Sequence, residues 1–284
     1  MKYRFLLSAI IILIVLGSCN VTPKQNSLKI GFTEFSFDYS VVYILKGILD
    51  QQPNLEVELY RLPDSTMFRQ VASGELDIGI SAWLPNTHGR HIEKYPYEIV
   101  RHSLIADSLA LYMAVPDYVE IERIGDLRNV ASLLKNTVLI PEGQNAIYPL
   151  ASNILEDYGL NNFSLHETSW DNIMYFVEES IRENAVFAFI ALRPHHSFKK
   201  FNLKILYDNR YALGDKEQAY IVVNHKMPQR MPIIADFLAQ IRFSLDDIEH
   251  IMEMNQILGS EPYENALRWI NNNAERINDW MMGY

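Results

Sequence analysis

The sequence predicts an α/β protein with two lobes around a cleft, and three observations support this fold class. Short apolar runs alternate with longer amphipathic segments, as in proteins built from strand and helix units. From Met231 onward every segment has helical spacing. Residues 108–111 and 213–219 are positioned for the chain to cross between lobes twice. Two crossings form a hinged cleft, and such clefts bind small ligands.

The elements of the first half follow from hydrophobic periodicity. Apolar residues at helical spacing predict a helix over 39–50, and alternation predicts a strand over 55–60. Residues 65–73 form a short predicted helix, and Gly74 begins a turn into the next strand. The predicted strands of this half are 28–32, 55–60 and 74–80 with its turn.

The second half continues the alternation and then becomes helical. Pro116 ends the first of its strands, because proline cannot donate a ladder hydrogen bond. The predicted strands are 109–115, 137–140, 185–191 and 219–223. The predicted helices are 146–158, 172–183, 231–241, 245–258 and 262–281. This organisation assigns residues 28–108 and 219–284 to lobe 1 and residues 109–218 to lobe 2.

The N-terminus has the features of an export signal. Lys2 and Arg4 precede an apolar run over 5–16, which is too short to span a membrane and fits a signal peptide. Leu-Gly-Ser before Cys19 resembles the lipobox of bacterial lipoproteins. The resemblance implies cleavage after residue 18, lipid on Cys19 and a flexible tether over 19–27. The alternative is an ordinary small core residue at Cys19.

The charge of the chain argues against nucleic-acid binding. Removing Lys2 and Arg4 from the 25 basic residues leaves 23 against 35 acidic ones, a formal net charge of −12. A nucleic-acid-binding protein needs a basic face. Cys19 is the only cysteine, so an intrachain disulfide is impossible.

Several segments in order resemble one protein family. Residues 74–88 read GELDIGISAWLPNTH, and residues 115–119 and 124–127 read VPDYV and IGDL. Residues 158–160 and 193–196 read YGL and RPHH, and Ala266-Leu267-Arg268-Trp269-Ile270 precedes a final Trp280. The chain resembles substrate-binding proteins of glycine betaine type ABC importers. This implies a type II periplasmic-binding fold, an ABC permease and ATPase as partners, no cofactor and no enzymatic activity.

The resemblance implies an aromatic cage for a quaternary ammonium, whose charge is held against ring faces. Trp83 is the leading candidate, and His88 either contacts ligand or braces the loop. Phe35 or Phe37 is a candidate second wall in a loop whose helix amides could meet an anion. Glu34 is expected to be solvated, with the ligand cation as an alternative partner.

The second lobe supplies a less complete set of candidates. Trp170 opens a predicted helix and is a candidate wall, and Tyr148 is a weaker one. One of His195 and His196 is expected to reach the cleft, with His195 the better match. Leu192 stands where the family has a tryptophan, so the identity of the ligand is in doubt. Trp269 and Trp280 are expected in the C-terminal core.

Alternative chemistries have little support in the sequence. His88 and His91 form H-x-x-H, but no third metal ligand accompanies them, and no metal is predicted. The chain lacks G-x-S-x-G, the P-loop and G-x-G-x-x-G motifs. We therefore expect a lipid-anchored extracytoplasmic receptor for glycine betaine, proline betaine, choline or a related amine. A receptor for another small ligand, such as an amino acid, and an enzyme on the same fold are the alternatives.

Overall fold

A computed structural model describes residues 26–142 and 147–282 of the chain. The predicted signal peptide, Cys19 and most of the predicted tether lie outside the described residues. The first strand begins at Asn26, so the last two residues assigned to the tether are part of the sheet. Within the described ranges, no helix is long and apolar enough to cross a membrane.

A mixed sheet of nine strands organises the molecule, in the order β2-β1-β3-β9-β4-β7-β5-β6, with β8 beside β4. The strands are β1 (Asn26–Phe32), β2 (Leu55–Arg61), β3 (Ile78–Leu84), β4 (Ile99–Pro116), β5 (Thr137–Pro141), β6 (Ser164–Thr168), β7 (Phe189–Arg193), β8 (Leu203–Ile205) and β9 (Glu217–Asn224).

Eleven α-helices within the described residues accompany the sheet, with a 3-10 helix at Ile124–Val130. They are α1 (Ser36–Leu49), α2 (Asp64–Ser73), α3 (Gly89–Lys94), α4 (Ile147–Asp157), α5 (Trp170–Arg182), α6 (Ser197–Lys200), α7 (Met227–Arg230), α8 (Pro232–Gln240), α9 (Leu245–Asn255), α10 (Pro262–Asn272) and α11 (Ala274–Met281).

Strand β4 is common to two parts of the sheet. It pairs antiparallel with β9 as far as Leu109 and with β7 from Ala110 onward. Strands β1, β2 and β3 are parallel to one another, and β9 lies antiparallel between β3 and β4. The change of partner in β4 falls within residues 108–111, where the sequence predicts the first crossing.

The two parts of the sheet have separate apolar cores. One contains α1 and the C-terminal helices packed on β1, β3 and β9, and the other contains β5, α4 and the 3-10 helix. Trp269 and Trp280 are 3% and 6% exposed and pack around Phe243, which confirms their prediction as core residues. These helices stabilise the part of the sheet that includes β3.

Several predicted boundaries were wrong. The helix predicted over 262–281 ends at Asn272 and a second begins at Ala274, because Asn273 has a non-helical backbone with φ −119° and ψ 29°. The strand predicted over 185–191 occupies Phe189–Arg193. Strand β4 begins at Ile99, ten residues before the predicted start at residue 109. Register shifts against β9 break the alternation on which the prediction depended.

Candidate functional site

Trp83 lies at the end of β3, where every residue of the strand is buried. Its backbone is opposite Ala219 of β9, and its side chain is 4% exposed. The Phe35 and Phe37 rings contact the indole edge to face, with centroids 5.5 Å away and interplanar angles of 75° and 72°. Because β1 and β3 are parallel, the segments after them meet at one sheet edge. The three rings form one aromatic group there.

Phe35 is half-buried and is the N-cap residue of α1. Its backbone is extended, with φ −71° and ψ 134°, and the helix begins at the next residue. The first N–H groups of a helix have no partner within the helix, and they attract anions. Phe37 is fully buried, so of the two predicted alternatives Phe35 is the ring with exposed surface.

A buried carboxylate connects the two segments that carry these rings. Asp38 is 1% exposed and accepts hydrogen bonds from Thr33 N at 2.9 Å, from Thr33 Oγ1 at 2.8 Å and from Ser81 Oγ. Burial raises the pKa of Asp38 to about 6, while the hydrogen bonds from Ser81 and Thr33 oppose the rise. No sequence motif indicated Asp38, although it lies three and four positions before Val41 and Val42 on the buried face of α1.

His88 braces the loop that follows Trp83. The His88 side chain accepts the backbone N–H of Trp83 at Nδ1, at 2.8 Å. The backbone N–H of His88 donates to the carbonyl of Trp83 at 2.9 Å. Its Nε2 is 3.6 Å from Asp64 Oδ1, and this contact lowers the pKa of Asp64. Both ring nitrogens therefore face protein groups, which favours the bracing alternative over ligand contact.

Glu217, which the sequence analysis did not single out, holds the same loop from the start of β9. Its carboxylate accepts the N–H groups of Asn86 and Thr87, both at 2.9 Å, and the Thr87 hydroxyl at 2.6 Å. Glu217 is 9% exposed and pairs with Leu109 at the point where β4 changes partner. The loop after Trp83 is thus attached to the strand that returns from the middle segment.

A second aromatic group lies in the middle segment. Trp170 is the first residue of α5 and is half-buried, and it stacks on His195 with centroids 4.5 Å apart and planes 23° apart. Its Nε1 is buried and has no hydrogen-bond partner within the described ranges. Trp170 packs against two apolar clusters, one of which contains Trp83 and Leu192.

The adjacent histidines are buried and neutral at physiological pH. Burial lowers the pKa of His195 well below its ordinary value, and burial with the nearby Lys200 lowers the pKa of His196 to about 4. His195 Nδ1 accepts the N–H of Ser197 at 3.2 Å, so its proton is assigned to Nε2. His196 is 8% exposed, and its Nδ1 has no partner among the described residues.

Leu192, which stands where the family has a tryptophan, is a buried side chain. It lies in β7 opposite Leu111 of β4, is 7% exposed and belongs to the cluster that contains Trp83. Trp170 packs against the same cluster.

Two other candidates are exposed. Tyr148 on α4 is 46% exposed and follows the undescribed residues 143–146, so its role as a cage residue stays a prediction. Glu34 is 80% exposed and is 3.6 Å from Arg61, which agrees with a solvated carboxylate. Within residues 26–142 and 147–282, no group of three or more His, Cys, Asp or Glu side chains could hold a metal ion.

Two ion pairs attach the end of β7 and helix α6 to α9. Arg193 donates to both carboxylate oxygens of Glu249, with Nε–Oε1 at 2.7 Å and Nη2–Oε2 at 3.3 Å. Glu249 is 1% exposed, whereas Lys199 and Asp246 form a more exposed pair beside it. These contacts fix the start of the His195 segment against a C-terminal helix.

Comparison with known proteins is consistent across most of the chain. Residues 26–272 match the family described as the substrate binding domain of ABC-type glycine betaine transport system. The glycine betaine/carnitine transport binding protein GbuC of Listeria monocytogenes serotype 1/2a (strain 10403S) is 26% identical over 134 residues. That match covers 46% of this chain and 44% of GbuC, so it spans less than half of either protein.

Two solved structures share the fold. Lactococcal OpuAC, in a closed conformation complexed with glycine betaine, aligns with a TM-score of 0.79 and 22% identity. The alignment covers 90% of this chain and 99% of OpuAC. ProX from Borrelia burgdorferi, a glycine betaine/L-proline-binding protein, aligns with a TM-score of 0.77 and 22% identity, covering 90% and 96%. The likeness establishes the type II periplasmic-binding fold that the sequence predicts.

Proposed function

The chain belongs to the family of substrate-binding domains of ABC-type glycine betaine transport systems, and from this premise we propose that it is the receptor of an ABC importer for glycine betaine or a related quaternary ammonium compound. The observation that carries the proposal is the aromatic group of Trp83, Phe35 and Phe37. The stacked Trp170 packs against the same apolar cluster.

A methylated ammonium suits these surroundings because it cannot donate a hydrogen bond. Its charge is instead attracted to ring faces, and each desolvated ring contributes about 2 kcal/mol. Trp83 and Phe35 supply two rings from the first part of the sheet, and Trp170 supplies an indole from the middle segment. We therefore assign the cation to the space bounded by these three residues.

A betaine carboxylate needs a separate donor, and one lies beside Trp170. His195 carries its proton on Nε2 and stacks on Trp170, so it can donate one hydrogen bond as a neutral ring. His88, by contrast, is assigned to positioning Trp83.

The proposed transport role includes two moving lobes. Ligand binding would favour a closed state, and the closed surface would dock on a permease served by an ATPase. The change of pairing in β4 at Leu109 and Ala110 supports the predicted boundary between lobe 1 and lobe 2. Receptors of importers work outside the cytoplasm, and lipid on Cys19 would keep this one at a membrane.

Calorimetry with a matched set of ligands tests the proposal. Glycine betaine, proline betaine and choline would be compared with 3,3-dimethylbutanoate, which replaces the ammonium nitrogen of glycine betaine by carbon. We expect glycine betaine to bind at least about tenfold more tightly than this uncharged-headgroup analogue. Equal affinity for the two would reject the cation site.

Two further outcomes identify the alternatives. Tight binding of an unmethylated amino acid, with weak binding of every quaternary amine, would favour an amino-acid receptor. That alternative remains because Leu192 replaces the family tryptophan. Chemical conversion of a bound compound would favour an enzyme. Mass spectrometry of ligand retained through purification gives an independent identification.

A further inference from the structure

Asp38 is a buried carboxylate whose hydrogen-bond donors are all neutral. The backbone N–H and hydroxyl of Thr33 donate to one oxygen, and the hydroxyl of Ser81 donates to the other. Within residues 26–142 and 147–282, no Lys, Arg or His nitrogen forms an ion pair with it. A buried charge without a counter-charge is unfavourable. The three hydrogen bonds hold the carboxylate in place, but no cation among the described residues balances its charge.

The position of Asp38 links it to the proposed cation site. It follows Phe37 directly on α1 and lies three residues after Phe35. Its partner Ser81 precedes Trp83 by two residues on β3. Asp38 thus belongs to the segment that carries Phe35 and Phe37, and it is hydrogen-bonded to the strand that carries Trp83.

The backbone of β3 is distorted where Ser81 meets Asp38. The pairing of β3 with β9 shifts register between Gly79 and Ala82. Ser81 has φ 54°, a left-handed conformation that is unfavourable for a non-glycine residue. Bulges of this kind redirect side chains near functional sites. The hydrogen bond from Ser81 to Asp38 supports the distortion and fixes the carboxylate beside the strand that ends in Trp83.

We infer that Asp38 is the counter-charge for the ligand cation and gives the site its preference for a positively charged headgroup over a neutral one of the same shape. The inference rests on the proposed function. A quaternary ammonium carries a permanent charge that no proton loss can remove. Its charge therefore attracts the buried carboxylate through a medium of low polarity, where attraction is strong.

The other charged groups nearby are poorly placed for this role. Glu34, in the same loop, is 80% exposed and close to Arg61, so water and a cation screen it. Asp64 faces His88 Nε2 at 3.6 Å. His88 exerts a small attraction on Asp38, and its Nδ1 is occupied by the N–H of Trp83.

The test compares the cationic ligand with its uncharged-headgroup analogue in matched variants. Asp38→Asn retains the shape of the side chain and removes the charge. We expect it to weaken glycine betaine on the order of tenfold and to change the affinity for 3,3-dimethylbutanoate by less than about twofold. Glu34→Gln is the control, since it removes a solvated carboxylate from the same loop and should leave the preference unchanged.

The outcomes separate this inference from the proposed function. If Asp38→Asn weakened the binding of both ligands equally, its role would be purely structural and the inference would be overturned. The inference would also be overturned if Glu34→Gln lost the preference for glycine betaine to the same extent as Asp38→Asn. A wild-type protein that binds both ligands equally, or neither, would instead reject the proposed function.

A second measurement on the wild-type protein covers the case in which Asp38→Asn does not fold. Calorimetry near pH 6 in two buffers of different ionisation heat counts protons released on binding. The ligand cation should lower the pKa of Asp38, so glycine betaine should release more protons than 3,3-dimethylbutanoate. Both ligands carry the same carboxylate, so the difference isolates the cation. No difference would overturn the inference.

Discussion

Trp170 stacks on His195 with ring centroids 4.5 Å apart, although 25 positions separate them in the sequence. The contact joins the first turn of α5 to the segment after β7, and it orients an indole whose Nε1 has no partner within the described ranges. A buried N–H without a partner is unfavourable unless water or a ligand accepts its hydrogen bond. The protein therefore orients the Trp170 ring but provides no hydrogen-bond acceptor for its Nε1–H within the described ranges.

The missing family tryptophan gives the first prediction. Leu192 is 7% exposed and tightly packed, and Trp170 packs against the same cluster. Leu192→Trp should therefore overfill the site and lower glycine betaine affinity, because overpacking costs about 1–3 kcal/mol. Adding Trp170→Leu to Leu192→Trp should recover part of the loss. Tighter binding by the single variant, measured by calorimetry, would contradict this arrangement.

The contribution of Trp83 can be measured directly. Trp83→Ala should cost about 2 kcal/mol, or roughly thirtyfold in affinity for glycine betaine, because it removes a desolvated ring. Trp83→Phe should cost less, since a smaller ring retains its quadrupole. Trp280→Phe is the control, because Trp280 is in the C-terminal core and should affect unfolding rather than binding. Unchanged affinity in Trp83→Ala would remove this residue from the site.

Asp38 predicts a pH dependence of stability. Burial raises its pKa from 3.8 to about 6, so the folded protein holds this proton more tightly than the unfolded chain does. The resulting stabilisation is fully present below pH 3.8 and is lost as the pH rises through 6, and it amounts to about 3 kcal/mol. Urea unfolding at several pH values should show this slope in the wild type. The slope should be reduced in Asp38→Asn, and equal slopes would contradict the shifted pKa.

The ion pair between Arg193 and Glu249 predicts a double-mutant result. Arg193→Met leaves Glu249 buried without its cation, and we expect a loss of about 2 kcal/mol in the free energy of unfolding because Arg193 is partly exposed. Replacing both residues by Met should recover most of that loss. The comparison requires urea unfolding of the two single variants and the double variant. Additive losses would show that the two side chains do not interact.

The anchoring prediction concerns Cys19, which lies outside the described residues. Cys19→Ser should abolish incorporation of a fatty-acid probe, because the thiol is the group that accepts the lipid. Metabolic labelling followed by gel analysis measures it, with Asn20→Ser as a neighbouring control that should remain labelled. Label on the Cys19→Ser protein would disprove lipidation at this residue.

Local pattern was enough to predict the α/β fold class, and the family resemblance singled out Trp83, but neither indicated the residues that fix Trp83 in place. Trp83 follows an apolar run and lies in a distinctive segment of sequence. Asp38 and Ser81 are 43 positions apart, and Glu217 is 131 positions from Asn86. Such hydrogen bonds depend on how distant strands are brought together, and no periodicity records them. An isolated acidic residue on an apolar helix face was the one local signal for Asp38.

The first half of β4 was missed for a related reason. Its register against β9 shifts three times between Arg101 and Leu109, so buried and exposed positions do not alternate regularly. The second half pairs with β7 in an unbroken register from Ala110 to Ala114 and was predicted over 109–115. Bulges at a change of partner therefore conceal a strand from any method that depends on a period of two.

The place of β9 in the sheet has a consequence for biosynthesis. β9 lies between β3 and β4, yet it is made about a hundred residues after β4, once the whole middle segment has been synthesised. A nascent chain that ends before Glu217 has β3 and β4 with a missing strand between them, and those unpaired edges are prone to aggregation. The middle segment can pair β4 with β7 beforehand. We therefore expect it to fold first and the terminal segments to close around β9 last.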